Sequence, residues 1–597
     1  MTTFRHMSLE KLPLQSLIWP DPHICVDDAL YFSLAGDAKI VPDRHEVRFA
    51  EGGAVGSGTA MNIFNLGKWR RYCGLTDLSL ELEGQGRFTA TIWHATGAER
   101  RSLLSCEEIE LHSGAPHILD FDLPEPATDA GVILFGLQAK GDGVLRRADW
   151  CTRQSAKRCP SLLLSITTFR REEDVLETIA RFQAFVEASP LAGSLHLTVV
   201  DNGRSLPFRD AHKVSVLPSP NYGGSGGFAR GLLDALDRGA SHCLFMDDDA
   251  RVHFGAVERT VMFLAHASDE RVAVSGALTT AERPWEIWEN GARFDVFCRP
   301  EFKGTDLRQH DEVVEMERDC VAEKPVNYYC GWWYFAFPVS HVRHMPFPFF
   351  VRGDDVGFSL MNRFRAVPLT GAICFQNEDF SAKESPRMIY LDLRSHVAHH
   401  LYAPQLNGSL QGGLKVPLFF FVRFLISCHY ETLAAVNLAL RDALSGPKLF
   451  RRTLDMSKKL NEITSVVVRE TWRRRPDADL IERRWINPDR ILDRLVMKCT
   501  LNGHLLPFFS KLGNHVVLPS AERGHRRVIW GAARITYVSA DGSQNYTVVH
   551  DKRRAMREAF HFLTLMARFI WRCRALRRDW REHYPSLTSR AFWRNSM

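Results

Sequence analysis

Several patterns that would assign this 597-residue chain to a familiar class are missing from its sequence. Its 13 cysteines are scattered singly with no Cys-x-x-Cys pair, which argues against a zinc ribbon and predicts reduced thiols. The longest apolar run, Val416 to Cys428, contains Arg423 and is too short to span a bilayer. Residues 1–20 lack the basic stretch and apolar core of a secretory signal. We therefore expect a cytoplasmic protein, either soluble or peripheral to a membrane.

A large excess of positive or negative charge is also absent. The formal net charge is +6, which is too small to predict a nucleic-acid partner. With 45% hydrophobic and 24% charged residues, the composition is that of a globular protein. The length predicts a multidomain protein whose domains have separate cores.

Residues 1–155 predict a β-sandwich domain. Short alternating stretches such as Leu78 to Glu83 and Phe88 to His94 recur between Gly and Pro residues, as in strands with one buried face. Aromatic and basic residues cluster from Phe64 to Tyr72. This cluster has two interpretations: a surface for sugars or another subunit, and an ordinary sandwich edge.

Residues 156–400 predict an α/β domain. Apolar strands that begin at Leu162, Leu195, Val214 and Cys243 alternate with helical stretches, a pattern typical of βαβ units with a mostly parallel sheet. Polar groups follow the carboxyl ends of these strands. Since α/β sheets bind ligands at that edge, we expect a binding crevice there.

Three carboxylates, Asp247, Asp248 and Asp249, follow the strand that begins at Cys243. Burial of three like charges is very unfavourable, so we expect them at the open end of the strand. Side chains alternate along a strand, which predicts that Asp247 and Asp249 point one way and Asp248 the other. Two carboxylates on one side form a hard-oxygen site for Mg²⁺ or Mn²⁺, which can neutralise a diphosphate leaving group. An acidic turn without a ligand is the alternative.

The glycine-rich segment Asn221 to Arg230 predicts a backbone-lined turn that a nucleotide can approach closely. Gly224-x-Gly226-x-x-Ala229 formally matches the dinucleotide fingerprint, but two βα units precede it and an acidic triplet follows it. The Walker pattern is excluded because no Gly-Lys-Ser/Thr follows. A nicotinamide-dependent oxidoreductase is therefore a minor alternative.

Two further motifs lie in the second half of this region. Trp332 and Trp333 are either core residues or a platform for a sugar ring. A predicted strand, Phe347 to Val351, leads to Asp354 and Asp355. This carboxylate pair supplies a candidate general base, or alternatively the N-cap of the helix that follows.

Residues 401–597 predict a mainly α-helical region. Lys415 to Leu444 is amphipathic, and a hairpin is predicted from Ile535 to Val549. A basic helix predicted from Asp551 to Arg581 carries nine arginines with interleaved apolar residues. It suits an anionic membrane surface, and the alternative is a helix that packs on the body with a solvated basic face.

Taken together, the motifs resemble those of the polymerising galactofuranosyltransferases of the actinobacterial cell-wall galactan pathway, in glycosyltransferase family two. The resemblance runs nearly from end to end. The segments that carry it are Trp69-Arg70-Arg71, Ile166 to Phe169, Asn221 to Gly227, Phe245 to Asp249, Gly331-Trp332-Trp333, Asp354-Asp355, Tyr430 to Ala434, Ser445-Gly446-Pro447 and Tyr584 to Leu587.

The resemblance implies a nucleotide-diphospho-sugar (GT-A) fold and an inverting transfer of galactofuranose from UDP-galactofuranose to a hydroxyl of a glycan or lipid-linked glycan. It implies Mn²⁺ or Mg²⁺ at Asp247 and Asp249, and Asp355, beside Asp354, as the base. The residues that would contact or frame the donor are Thr168, Arg171, Asp201, Asn221, Gly223, Gly224, Asp248, Trp332 and Trp333. It also implies a homo-oligomer at the cytoplasmic face of the membrane.

The chain departs from the family pattern at three positions. Gln376 stands where the family has a metal-binding His, and Gly353 where it has Trp before the Asp pair. A family acidic residue near the acceptor falls at Ala292, with Glu289 close by. These changes leave the sugar, the linkage and processivity open. The alternatives are another donor, such as a rhamnosyl or hexosyl nucleotide, and a non-catalytic glycan-binding relative.

Overall fold

A computed structural model describes residues 12–97, 100–125, 131–207, 210–376, 384–406, 410–474 and 482–597. The first of three regions is formed almost entirely of strands, as its alternating sequence predicts. They are β1 Gln15–Ser16, β2 Ser33–Ala35, β3 Ala38–Val41, β4 Glu46–Phe49, β5 Ala54–Gly56, β6 Ser79–Ala95, β7 Arg101–Leu111, β8 His117–Asp120, β9 Val132–Ala139 and β10 Gly143–Cys151.

Strand β6 joins both halves of this ten-stranded antiparallel sheet. Its first half pairs with β8 and β10, and its second half pairs with β7 and β9. Alternate residues of β6, such as Leu80, Leu82, Phe88 and Ile92, are fully buried. The period of two thus places one face of the strand in the core.

The aromatic side chains of the cluster from Phe64 to Tyr72 are buried, whereas Arg71 is exposed. It folds as a short helix, α1 Leu66–Lys68, continued by a π-helix, Trp69–Cys73. Trp69 is 3% exposed and packs edge-on against Phe263, with ring centroids 5.0 Å apart. A surface for sugars or another subunit is therefore the wrong interpretation of this cluster.

The second region contains an α/β sheet with helices packed around it. Its strands are β11 Leu162–Thr168, β12 Leu195–Asp201, β13 Val214–Pro218, β14 His242–Asp247, β15 Ala250–Val252, β16 Val272–Thr280, β17 Ala292–Phe294, β18 Cys298–Pro300, β19 Tyr328–Tyr329, β20 Phe335–Pro338 and β21 Arg365–Gln376. Its helices are α2 Glu172–Ala188, α3 Gly223–Asp237, α4 Phe254–His266, α5 His310–Asp319 and α6 Asp354–Asn362.

The main sheet has the strand order β13-β12-β11-β14-β20-β16-β21-β15. The first four strands are parallel, as predicted, whereas β20 runs antiparallel to both of its neighbours. Strands β17 to β19 form a separate three-stranded sheet. The predicted strand Phe347 to Val351 is irregular, and Phe350 within it takes a positive φ angle of 75°.

The first two regions share one hydrophobic core. A buried ion pair crosses between them, with Lys68 Nζ 2.7 Å from Glu317 Oε2. The buried Arg259 guanidinium also donates to the Met61 carbonyl at 2.6 Å. The sandwich and the α/β sheet therefore form one packed body, although the sequence predicts separate cores.

The third region is mainly helical. Its helices are α7 Pro386–Tyr402, α8 Leu410–Ile426, α9 Tyr430–Leu444, α10 Lys448–Arg452, α11 Ser457–Val466, α12 Ile491–Cys499, α13 Phe509–Leu512, α14 Arg526–Ile529, α15 Lys552–Leu587 and α16 Arg590–Ser596. Its strands are β22 Asn514–Pro519, β23 Ala532–Val538 and β24 Asn545–Val549.

The predicted hairpin, amphipathic stretch and basic helix can each be located in the third region. The predicted hairpin is β23–β24, joined by β22 in parallel. The amphipathic stretch Lys415 to Leu444 is two helices, α8 and α9, which separate where Cys428 takes a φ of 60°. Basic helix α15 packs on the body through buried residues such as Phe562 and Trp580. Across the described ranges, we find no helix with the length and apolarity needed to cross a bilayer.

Candidate active site

A cleft of about 850 Å³ opens at the carboxyl edge of the parallel strands. It is walled by the ends of β11 and β14, the N-termini of α3 and α6, and one face of α7. The predicted site residues that line it are Thr168, Arg171, Asn221, Gly223, Gly224, Asp247, Asp248, Asp249, Trp332, Trp333, Asp354, Asp355 and Gln376. The fold therefore brings together residues that are up to 208 positions apart, Thr168 and Gln376.

The aspartate triplet lies at the open end of β14, as predicted. The strand ends at Asp247, and the next two residues form a turn. The Nη1 atom of Arg171 is 2.6 Å from Asp249 Oδ2 and 3.5 Å from Asp248 Oδ1. The prediction that the side chains of Asp248 and Asp249 point in opposite directions is thus wrong, since both reach one guanidinium. The alternation of a strand does not apply to them because the strand ends before them.

The crowding of carboxylates makes this end of the cleft strongly electronegative. Burial raises the pKa of Asp247 well above its usual value, and the neighbouring Asp249, Asp248, Asp354 and Asp355 raise it further. Burial also raises the pKa of Asp248 to about 6, although Arg171 and a neighbouring threonine hydroxyl lower it. Such a cluster favours a bound cation.

Gln376 lies beside the triplet because β21 pairs with β15, in a register that sets Gln376 opposite Ala250. Its Nε2 atom donates to Asp249 Oδ1 at 2.7 Å. Its Oε1 atom is buried and has no hydrogen-bond partner among the described residues. A buried amide oxygen without a partner is unfavourable unless a ligand completes it.

The residues present fit a hard divalent cation. In the parts of the chain that the structure describes, no group of three or more His, Cys, Asp or Glu side chains forms a metal cluster. The available donors are instead the carboxylates of Asp247 and Asp249 and the unpartnered Gln376 oxygen. Mg²⁺ prefers such oxygen ligands and usually keeps water or takes substrate phosphate oxygens in its remaining positions.

The second carboxylate pair begins helix α6. Asp354 Oδ2 accepts a hydrogen bond from Ser225 Oγ at 3.0 Å, which ties it to α3. Asp355 Oδ1 accepts from the Val356 backbone N–H at 2.8 Å. Burial raises the pKa of both carboxyls. The N-cap interpretation of the pair is wrong, because Gly353 is the N-cap and both carboxylates lie in the first turn of α6; both also line the cleft, as a general base requires.

Gly353 has no room for a larger residue. It takes a φ of +83°, and a Cβ there would lie 2.7 Å from His399 Nε2 and 2.7 Å from Ser395. A tryptophan at this position, as the family has, would displace helix α7. Gly353 thus lets α7 approach Asp354 and Asp355 closely.

The glycine-rich segment is a helix and not the predicted turn. Helix α3 begins at Gly223, which takes a φ of +67° and whose N–H donates to Asn221 Oδ1 at 3.0 Å. A Cβ at Gly227 would lie 2.1 Å from Thr167 Cγ2. The glycines therefore bring the N-terminus of α3 close to β11, and helix N-termini favour anions such as phosphate.

The two tryptophans belong to the cleft wall and to the core. Trp332 is 5% exposed and packs edge-on against Phe228 and Phe245, with both centroid distances 4.9 Å. Trp333 donates from Nε1 to the Gly276 carbonyl at 3.0 Å. Both tryptophans are therefore core residues that also line the cleft, and each presents only part of its ring there.

Asp201 is the one predicted donor contact outside the cleft wall. Its carboxylate accepts hydrogen bonds from the backbone N–H groups of Gly203, Ser205 and Leu206, each at 2.8 Å. It therefore closes the loop after β12. The neighbouring Asn202 lines the cleft instead, with a buried Oδ1 atom that has no partner among the described residues.

Sequence reasoning missed one wall of the cleft, the face of α7 that carries Met388, Asp392, His396 and His399. Their helical spacing was visible, but nothing in the sequence indicated which face would point to the site. Glu289 also lines the cleft, and burial raises its pKa to about 8. Ala292, the position that the resemblance gives to the family's acidic residue, starts β17 outside the cleft lining.

Comparison with known proteins finds similarity to galactofuranosyltransferases. The family model Galactofuranosyltransferase 2 N-terminal matches residues 17–153. Galactofuranosyltransferase GlfT2 of Mycolicibacterium smegmatis is 24% identical over 439 residues, which span 68% of this chain and 66% of that relative. Galactofuranosyltransferase GlfT2 of Mycobacterium tuberculosis is 23% identical over 606 residues, which span 93% of this chain and 92% of that relative.

Among solved structures, the mannosyltransferase PcManGT from Pyrobaculum calidifontis, in complex with GDP-Man and Mn²⁺, has a TM-score of 0.29 and 15% identity. That match covers 52% of this chain and 84% of the other. A TM-score this low supports no conclusion about the chain.

The curated relatives confirm the predicted class, an enzyme of the glycosyltransferase type. The resemblance to the galactan-type galactofuranosyltransferases is likewise confirmed by the family model and by both relatives.

Proposed function

We propose that the chain transfers galactofuranose from UDP-galactofuranose to a hydroxyl of a glycan or lipid-linked glycan, on a GT-A fold. The observation that carries this proposal is the convergence of five carboxylates, Asp247 to Asp249 with Asp354 and Asp355, on one cleft at the carboxyl edge of a parallel sheet. Three of them lie at the end of strand β14 as a metal-binding set would, and two begin a helix as a separate base would.

The donor occupies the side of the cleft near β11 and α3. The N-terminus of α3 and the guanidinium of Arg171 lie where a diphosphate would be stabilised. The buried Asn202 Oδ1 atom can accept from a nucleotide N–H or a ribose hydroxyl. Trp332 and Trp333 border the sugar.

Asp355 acts as the general base. It takes the proton of the acceptor hydroxyl as that oxygen attacks the anomeric carbon, while the bond between that carbon and the diphosphate oxygen breaks and UDP leaves with its electrons. Attack from the face opposite the leaving group inverts the anomeric centre. Because burial raises the pKa of Asp355 to about 6, this carboxylate is a stronger base than an exposed aspartate and is still ionised at neutral pH.

Asp247, Asp249 and Gln376 would hold Mn²⁺ or Mg²⁺. A bound divalent cation supplies positive charge that stabilises the departing diphosphate. Until the donor arrives, Arg171 balances part of the charge of Asp248 and Asp249.

The third region supports the proposed membrane partner. Most exposed large apolar side chains of the described chain lie there: Leu418, Phe419, Val466, Val468, Trp485, Ile491, Leu492, Leu495, Val496, Leu505, Phe508, Leu512, Val549, Met556, Phe560, Leu563, Ile570 and Trp571. Exposed arginines of α15 lie among them. This combination suits the anionic inner face of a membrane. A homo-oligomer is proposed from the family resemblance.

The decisive experiment incubates the purified chain with UDP-galactofuranose, UDP-galactopyranose, UDP-glucose or a rhamnosyl nucleotide, each with lipid-linked glycan acceptors and Mn²⁺ or Mg²⁺. We expect product extended by galactofuranose only with the first donor, and none from Asp355→Asn. Transfer of another sugar would show that the proposed donor, UDP-galactofuranose, is wrong. Failure to bind or consume any nucleotide sugar would favour the non-catalytic alternative.

A further inference from the structure

A second large cavity lies in the helical region. It has a volume of about 960 Å³, within the range of about 300–1,000 Å³ that is typical of small-molecule sites. Its walls are α9, the first half of α15, the end of α11 and the segment that follows α11. None of its lining residues is shared with the carboxylate cleft.

The cavity lies in the groove between α9 and α15, which contact each other at Asn437 and Glu558. On α9 the lining residues are Tyr430, Glu431, Ala434, Asn437, Leu438 and Arg441, which share one helical face. Small residues, Ala434 on α9 and Thr564 on α15, leave the space open. The wall is more apolar than polar, with Leu438, Val466, Val468 and Leu565 in it.

The rim carries four arginines and three glutamates, Glu431, Glu462 and Glu558, and therefore only a small excess of positive charge. Arg441, Arg469, Arg554 and Arg557 all line the cavity. Arg441 and Arg557, which are 49% and 62% exposed, pair with Glu462 at 2.7 Å and with Glu558 at 2.9 Å, so a bound phosphate would compete with these carboxylates. Arginine forks match phosphate oxygens in bidentate geometry.

The cavity wall also contains a residue with an unpartnered buried polar atom. Asn437 is 7% exposed, and its Nδ2 atom donates to Glu558 Oε2 at 3.0 Å. Its Oδ1 atom has no hydrogen-bond partner among the described residues. An orphaned acceptor in the wall suits a ligand that carries a hydroxyl group, such as a glycerol headgroup.

The cavity opens beside an apolar stripe on α15. Met556, Phe560 and Leu563 are 72%, 72% and 66% exposed, and Phe560 belongs both to the stripe and to the cavity wall. A side chain inserted in a bilayer at this stripe would bring the cavity mouth to lipid depth. The stripe thus gives a membrane lipid a route to the cavity.

We propose that this α9–α15 cavity binds one anionic phospholipid, with an acyl chain between the two helices and the phosphate among the arginines of the rim. The inference rests on the proposed membrane partner and is independent of the sugar that is transferred. The third region would then bind one lipid specifically, in addition to adsorbing to the membrane through its charge.

The test uses the full-length chain and a monomeric, fluorescently labelled phosphatidylglycerol below its critical micelle concentration. We expect saturable binding of one lipid per chain, weaker binding of the matched phosphatidylcholine, and displacement by unlabelled phosphatidylglycerol. Polyprenyl phosphate serves as a second competitor. If it displaces the label more strongly, the proposed phospholipid is the wrong occupant.

Two variants fill the cavity from opposite walls, Ala434→Trp and Thr564→Trp. Both should weaken phosphatidylglycerol binding by about tenfold or more, since the chain loses its apolar contacts. The matched control, Leu563→Ser, changes the stripe outside the cavity and should weaken vesicle adsorption while monomer binding persists. Thermal unfolding verifies the fold of each variant, and unchanged hydrolysis of the donor separates this inference from the proposed transferase activity.

Two results would overturn the proposal. One is monomeric lipid binding that is absent in the unmodified chain or unchanged in both tryptophan variants. The other is concentration-dependent self-association that Ala434→Trp abolishes, which would assign the cavity to a second copy of the chain.

Discussion

Replacement of Asp355 by asparagine separates the chemistry of the cleft from its structure. Asparagine keeps the volume of the side chain, and its carbonyl oxygen can still accept the 2.8 Å hydrogen bond from the Val356 N–H. It cannot take a proton at neutral pH. Because a positioned base contributes about 10²–10⁴-fold, kcat should fall by that factor, or by roughly 3–5 kcal/mol in activation free energy. Affinity for UDP should stay within about twofold, since the base acts on the acceptor.

The pH dependence follows from the same carboxyl. Burial raises its pKa to about 6, so kcat/KM of the unmodified enzyme should fall as the pH drops through that value, and the variant should lack this limb. The contribution of this carboxyl to folding stability should change in the opposite direction, falling as the pH rises. A raised folded pKa means that stability is fully present below the unfolded pKa and is lost as the pH rises through about 6. At pH 8 the variant should therefore be as stable or more stable, by at most about 3 kcal/mol.

The assay combines initial rates from pH 5 to 9, UDP titration by calorimetry and urea unfolding, with Asp354→Asn as the matched control. Asp354 accepts from Ser225 Oγ and should contribute to the position of α3 more than to proton transfer. Near-normal turnover in Asp355→Asn, or an acidic limb that survives in it, would remove Asp355 from the mechanism.

Three further predictions concern metal, membrane and stability. Gln376→His should tighten donor-free Mn²⁺ binding relative to Mg²⁺ in titrations with and without UDP, because imidazole is a softer ligand than an amide oxygen; equal affinities would show that Gln376 does not touch the ion. Arg568→Gln with Arg572→Gln should weaken binding to anionic vesicles by about 2 kcal/mol in a sedimentation assay at low salt, and no change would leave α15 with a structural role alone. Lys68→Met should lower the free energy of unfolding in urea by about 3–5 kcal/mol, because Glu317 would remain buried without its 2.7 Å partner; a loss below about 1 kcal/mol would contradict this.

Point substitutions suit the membrane test better than removal of the basic tail. Helix α15 buries Phe569 and Trp580, and Trp593 of α16 donates to the Pro346 carbonyl at 2.9 Å. Deletion of residues 551–597 would therefore expose the core next to the Asp354–Asp355 helix. The exposed arginines can be changed without that damage.

The sequence alone determined the local features of this protein. Apolar runs that end in Asp247 or Asp201 are recognisable as strands because residues adjacent in sequence decide their length and polarity. The hairpin β23–β24 and helix α15 were likewise predictable from turn chemistry and periodicity. The separation of the Asp247–Asp249 set from the Asp354–Asp355 pair also follows from their positions after different elements.

The tertiary structure decided what those residues face. Gln376 reaches Asp249 only because β21 pairs with β15, a contact between residues 127 positions apart. Gly223 and Gly227 stand in helix α3 at positions where Phe350 and Thr167 leave no space for a Cβ, which no local rule reveals. The face of α7 that walls the cleft was selected by packing. Such contacts depend on shape and register between distant segments, and the sequence pattern carries no direct record of either.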